Sequence, residues 1–322
     1  MRPTVRSRLW AAGTAFVLGF VIANVGILAI AGADRWIWLG VAVVLMLTGA
    51  VGVLVADTGR RLSLWAVLGF ELAVVATVLP LWWTLAVALT PADLVATSML
   101  PQEPRWSVLG DVLGAGPLRD AAVTSILTAS VATVVAMVLA VPAAYALTRR
   151  RVRGARAVRV GAVAVLLVPL VALAGPWSDT AALLDLAGSR WLLAPALLTV
   201  ALPLALWLAL PVLRDAPWSL RDSIRSDGAS RAQELRAFAV PVLLPDLLVV
   251  GALVWVVAAQ DAVLGAALGP IDDSRTLPAT LLVGSVEPEQ AAAVGVLWLL
   301  PVLVLLAVAP RRVRRLIGRE PR

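Results

Sequence analysis

Two carboxylates stand inside long apolar runs of this chain: Glu71 within 62–90, and Asp261, beside Gln260, within 247–268. A charged side chain at the centre of a membrane helix costs roughly 2.5–3.5 kcal/mol on insertion scales, so such groups face a bundle interior or a wet cavity. There they bind a solute or ion, relay a proton, or hydrogen-bond a neighbouring helix. Gln260 and Asp261 are therefore candidates for a solute pathway or for an interhelix hydrogen bond. Glu71 is a third pathway candidate, with a bonded packing residue as the alternative. Most other chemistry is missing from the residue set. The chain has no Cys and no His, and all 27 of its basic residues are Arg, leaving no Lys. That removes thiolate nucleophiles and Cys-ligated metals, imidazole bases, Schiff bases and the Lys of a nucleotide-binding P-loop. No catalytic residue and no metal-ligand set is expected.

The elements that must position Glu71 and Asp261 are membrane helices. Of 322 residues, 61% are hydrophobic, and about 20 consecutive apolar residues span a bilayer core as helix. Eight segments qualify as candidates: 9–33, 36–56, 62–90, 121–147, 160–175, 191–213, 247–268 and 291–309. The fifth is short, and the third is long, with Pro80 past its middle as a kink or an end. The runs are rich in Ala and Leu without alternating polarity, which argues against strands. The expected fold class is an all-α polytopic membrane protein of about eight transmembrane helices. The apolar stretch behind Arg2, Arg6 and Arg8 exceeds the roughly 7–15 residues of a signal-peptide core, so a retained first helix is expected.

Orientation follows from the Arg distribution, since short basic loops stay on the cytoplasmic side. With the N-terminus inside, 22 of the 27 Arg fall on inner segments, and both termini are cytoplasmic. Many acids, such as Asp93, Glu103, Asp272 and Glu287, fall on the other side. A formal charge of +7 invites a nucleic-acid reading, but the Arg residues sit at helix ends with no basic domain between them. They read as anchors against membrane lipid, with no nucleic-acid partner. Trp10, Trp36, Trp38, Trp65 and Trp191 lie near helix ends, as an interfacial aromatic belt places them. In the fourth helix Ala132, Ala136, Ala140 and Ala144 recur every four residues, a spacing that allows close helix approach.

The chain divides into a three-helix extension (1–91), an outer linker (92–120), a core block (121–310) and a basic tail (311–322). The longest inner loop, 214–246, carries the most information. It reads as two short helical stretches, Asp222 to Asp227 and Arg231 to Val240, with a bend at Gly228 between them. Ser230 can cap the second stretch, and Pro241 disfavours helix at the residue before it. Ala232, Leu235, Phe238 and Ala239 share a face at helical spacing. Such a stripe among Arg residues reads as a docking surface, or as a helix lying against the bilayer.

This loop resembles the EAA loop of permease subunits in binding-protein-dependent ABC importers, whose pattern is E-A-A-x3-G-x9-I-x-L-P. Aligned on Gly228, Asp222, Ser223 and Ile224 take the E-A-A positions, and Phe238, Ala239, Val240 and Pro241 take I-x-L-P without a gap. Asp227, Gly228, Ala229 and Ser230 resemble the D-G-A-S of carbohydrate importers. The first three positions depart from the pattern, with Asp for Glu and Ser-Ile for Ala-Ala. Pro142 to Leu147 (PAAYAL), Ala201-Leu202-Pro203 followed by Trp207-Leu208, and Thr276-Leu277-Pro278 resemble further segments of such permeases. In all, the resemblance covers about 121–315.

The resemblance implies a type I importer-like permease core that conducts a sugar or related small solute across the bacterial cytoplasmic membrane. It implies a cytoplasmic ATPase dimer docked on the loop, a second permease subunit, identical or related, and an external solute-binding protein. ATP would reside on the partner, with no cofactor in this chain. An ion-coupled secondary transporter using Glu71 and Asp261 is the alternative. A permease-like scaffold that moves nothing, suggested by Ser223-Ile224, is another.

Overall fold

In this computed structural model the described residues are 77–78, 80–91, 104–114, 116–149, 153–269, 275–283, 286–310 and 312. Two compact units, Met1–Ala86 and Val87–Arg322, divide the chain. In the first, the described residues 77–78 and 80–86 are helical, and Thr84 donates its hydroxyl to the Pro80 carbonyl at 2.9 Å. The first two expected spans, most of the third, and Glu71 lie outside the described residues.

The second unit is built from helices that we number α1 (Ser107–Gly114), α2 (Gly116–Arg149), α3 (Ala155–Leu166), α4 (Leu170–Leu183) and α5 (Arg190–Arg214). These are followed by α6 (Trp218–Ser226), α7 (Arg231–Glu234), a π-helical stretch Leu235–Leu243, α8 (Leu244–Ala259) and α9 (Val263–Leu268). The series closes with α10 (Leu277–Val283), α11 (Pro288–Trp298) and α12 (Leu300–Val308). Among the described residues, four continuous helical runs are long and apolar enough to cross a bilayer: 116–149, 190–214, 231–259 and 288–308.

The centre is a contact between two alanine ladders. On α2, Ala132, Ala136, Ala140 and Ala144 are all buried, as their four-residue spacing predicts. Ala136, Ala140 and Ala144 pack with Ala201, Ala205 and Ala209, which recur at the same spacing on α5. Small side chains on both faces let the backbones approach, and the contact area replaces the hydrophobic drive that lipid does not supply. Val250 and Val254 of α8 close the cluster. On its outer face α2 exposes Val131, Val134, Val138 and Leu139, an apolar surface suited to lipid. Three Pro lie inside α5, at 195, 203 and 211; membrane helices tolerate them because neighbouring groups re-satisfy the freed carbonyls.

Two expected spans are broken. The segment 160–175 is not one helix: α3 ends at Leu166, Pro169 precedes α4, and the two axes meet at 91°. The residue before a Pro is pushed out of helical geometry and Pro itself lacks an N–H, so the ladder stops here. The segment 247–268 breaks at Gln260–Ala262, between α8 and α9. The outer linker is also more structured than expected, since it holds α1 and the first turn of α2.

Candidate functional site

The loop after α5 is an ordered helical hairpin. Its first helix, α6, starts behind Pro217 and ends in a complete left-handed cap. Gly228 has φ +81°, its N–H donates to the Arg225 carbonyl at 3.1 Å, and the Ala229 N–H donates to Ile224 at 3.4 Å. This pair of bonds is the Schellman arrangement, which needs a residue free to adopt positive φ. Two residues later Ser230 opens α7 with a reciprocal cap. The Gln233 N–H donates to the Ser230 hydroxyl at 3.4 Å, and the Ser230 N–H donates to the Gln233 side-chain carbonyl at 2.8 Å.

Two expectations for this loop are corrected. The first helix begins at Trp218, so Asp222 lies within it and not at its positive end. The second does not stop before Pro241: it runs on through the π-helical stretch into α8. In a regular α-helix the Pro ring would collide with the carbonyl four residues back; the wider π turn relieves that collision.

The singled-out residues separate by exposure. Asp222, Ser223, Asp227, Gly228, Ser230, Val240 and Pro241 are exposed, and Ile224 and Ala229 are half-buried. Phe238 is buried, so the apolar stripe is divided: Ala232 and Leu235 face outward and Phe238 faces inward.

What Phe238 meets was not singled out from the sequence. The Trp218 ring lies 5.4 Å from Phe238 and 5.6 Å, edge-on, from Tyr145 of α2. The Arg149 guanidinium stacks over Trp218 at 4.8 Å, and the Trp218 indole N–H donates to the Leu213 carbonyl at 2.8 Å. Beside this aromatic set, Arg221 of α6 donates through Nε to Glu234 of α7 and through Nη1 to the Tyr145 hydroxyl at 3.2 Å. Glu234 also receives Arg225 at 3.6 Å. The bond to Glu234 raises the Arg221 pKa above its ordinary value, so the guanidinium stays charged. Only Tyr145 carried a signal, as the sole Tyr of the chain and part of the PAAYAL run.

The second candidate region is where the two broken spans meet. A cavity of about 230 Å3 is lined by Leu170 from the α3–α4 bend, Leu197 and Val200 of α5, Val257 of α8, and Gln260 with Asp261 at the α8–α9 break. Broken helices that line a cavity are how transporters build polar sites at membrane depth. Gln260 is exposed, whereas the Asp261 carboxylate is engaged. Its oxygens accept the N–H groups of Leu264 at 3.3 Å and Gly265 at 2.9 Å, satisfying the start of α9. Thr276 donates to the Asp261 carbonyl at 2.9 Å, and Leu277 donates its N–H to Ser125 of α2 at 2.7 Å. The structure thus brings Gln260 and Asp261 to one cavity.

Interrupted apolar helices and an ordered hairpin between two spans are the features that characterise this bundle. The solved ABC transporter involved in import of the acidic polysaccharide alginate has this fold: the TM-score is 0.56 at 18% identity, covering 78% of this chain and 99% of that one. No family model matches the chain. It is 28% identical over 261 residues to the trehalose transport system permease protein SugB of Mycobacterium tuberculosis, covering 79% of this chain and 95% of the relative. It is 26% identical over 242 residues to the sulfoquinovosyl glycerol transport system permease protein SmoH of Agrobacterium fabrum, covering 73% of this chain and 85% of the relative. Over most of its length the chain is similar to permease subunits of sugar transport systems, and its described residues include four helices long and apolar enough to cross a membrane. Such a subunit works with an ATPase and a solute-binding protein.

Proposed function

We propose that this chain imports a sugar or sugar derivative, with the hairpin 218–241 as the surface on which a cytoplasmic ATPase dimer docks. The observation that carries the docking role is the hairpin itself. Its turn is held by Gly228 and Ser230, and it leaves Asp222, Ser223 and Asp227 exposed while burying Phe238. A preformed surface loses little conformational freedom on binding. The five Arg of the loop region 214–246 support a cytoplasmic position for it. ATP is held by the partner, since a chain without Lys has no P-loop of its own. A second permease subunit, identical or related, completes the pore, and an external binding protein delivers the solute. The printed names of the relatives, for trehalose and sulfoquinovosyl glycerol, support a sugar class of solute. Gln260 is the group suited to meet it at the cavity, because a carboxamide both donates to and accepts from hydroxyls.

The test is reconstitution in proteoliposomes with the co-purified ATPase and binding protein. Uptake of labelled disaccharide that requires ATP and survives a protonophore is the expected result. Uptake abolished by the protonophore at constant ATP would refute it in favour of ion coupling.

A further inference from the structure

The hairpin has to move the membrane helices if docking is to drive transport, and the structure holds a tie between the two. We propose that Arg221 is a positioning residue for transport: it joins α6 to α7 through Glu234 and joins both to α2 through the Tyr145 hydroxyl. This rests on the reading of the hairpin as the ATPase dock and adds the route by which motion there reaches the pore.

Three observations carry it. First, the guanidinium is shared between partners on two other elements, Glu234 on α7 and Tyr145 on α2. The Arg221 and Glu234 side chains are 17% and 18% exposed, so solvent competes with the pair only in part. Second, the guanidinium fork sends Nε and Nη1 in fixed, different directions, which a Lys ammonium on a flexible stem does not reproduce. Third, Trp218 repeats the connection in apolar form, touching Phe238 beyond the turn and both Tyr145 and Arg149 on α2. Asp227, Gly228 and Ser230 of the turn face outward and make no such bridge. The hairpin therefore moves as one body, and its attachment to α2 runs through Tyr145 and Trp218. From Tyr145 the motion enters the helix whose alanine ladder packs on α5 and α8.

Residues buried in the aromatic set would blur coupling with folding, so Tyr145→Phe is the first variant: it keeps the ring and removes only the hydroxyl. Arg221→Met is the second and Arg221→Lys the third. Each is measured in the reconstituted complex for ATPase bound per permease, ATP hydrolysed and solute taken up per ATP. The expected result is a normal amount of bound ATPase, with uptake per ATP falling roughly tenfold in Arg221→Met and less in Tyr145→Phe, the size of a coupling between contacting groups. Arg221→Lys should not restore it. The double variant should be no worse than Arg221→Met, because both remove the same bond to α2. Unchanged uptake per ATP in both single variants, with ATPase bound, would overturn the proposal.

The isolated chain supplies a readout that needs no ATPase. Because the chain has no Cys, Ser223→Cys and Arg153→Cys, both at exposed positions, can carry a pair of spin labels. The distance distribution should be narrow with Arg221 and broaden with Arg221→Met; an unchanged distribution would also overturn the tie. If instead the tie is seen here and no ATPase binds even the unmodified chain, the docking reading fails and the coupling role falls with it.

Discussion

The Thr276 hydroxyl donates to the Asp261 carbonyl at 2.9 Å, and this one bond closes α9 back onto the start of α10. The same hydroxyl occupies the space that a side chain on Gly265 would need, well inside contact distance of a Cβ there. Gly265 is buried in α9, and its N–H is one of the two that the Asp261 carboxylate accepts. The break in the seventh span is thus a packed knot and not a frayed end.

The first prediction follows from that packing. Gly265→Ala must push Thr276 off the Asp261 carbonyl, combining overpacking with a lost hydrogen bond, and should cost about 1–3 kcal/mol. Thermal unfolding in detergent would show a lowered midpoint. Adding Thr276→Ser, which removes the methyl that also crowds the site, should recover part of it. No change in midpoint for Gly265→Ala would mean that α9 and Thr276 do not meet as described.

Asp261 separates two modes of transport. Its carboxylate accepts two backbone N–H groups, a task that needs an acceptor but no titratable proton. Asp261→Asn keeps one acceptor oxygen and turns the other into an NH2 donor facing a backbone N–H, so it should give up about one hydrogen bond, roughly 1 kcal/mol, while ATP-driven uptake stays within about threefold. Asp261→Leu leaves buried N–H groups unpaired and should destabilise by about 1–3 kcal/mol. A total loss of uptake in Asp261→Asn, with a stability loss no larger than about 1 kcal/mol, would point back to proton coupling.

Much of this was legible in the sequence, and the physical reasons divide cleanly. The spans at 121–147, 191–213 and 291–309 could be read because twenty apolar residues have one low-energy environment, and helices at 116–149, 190–214 and 288–308 match them. The hairpin turn could be read because few residue types satisfy a positive φ or a helix start: Gly228 and Ser230 stand where those demands fall. The alanine ladder of α2 was visible, but its partner at Ala201, Ala205 and Ala209 gains meaning only once α5 is placed against it. The breaks at 167–169 and 260–262 were missed because hydropathy averages over a window and does not register backbone geometry. Pro241 was read as a stop because the local rule assumes an α turn, and a π turn evades it. Arg221 with Tyr145 is 76 positions apart in the chain, beyond any fixed-offset rule.

A half-buried polar bond between membrane helices gives a third prediction. Trp255 of α8 donates its indole N–H to the Ser130 hydroxyl of α2 at 3.0 Å. Bonds of this kind average about 0.6 kcal/mol in membrane proteins, because the separated helices find other partners. Trp255→Phe and Ser130→Ala should each lower stability by a similar small amount, and the double variant by no more than either. A loss several times larger, in unfolding from mixed micelles, would mean that ring packing outweighs the bond.

The last prediction concerns Gly228, where backbone strain and docking can be separated. A Cβ at Gly228 would meet nothing within 4 Å, yet φ there is +81°. Strain at a left-handed position costs a non-Gly residue about 1–2 kcal/mol whatever its size, and Asn, which tolerates the region, costs less. In the isolated chain Gly228→Ala and Gly228→Trp should therefore be destabilised about equally, because the added ring projects into open space. They should differ sharply once the ATPase is present. Ala leaves the exposed face of the hairpin nearly flat, whereas Trp stands on it and should abolish ATPase binding and uptake together. Equal binding by the Ala and Trp variants would show that Gly228 serves the turn alone, and the docking surface would then have to lie elsewhere on the hairpin. Equal stability with unequal binding would instead locate the ATPase against the turn itself.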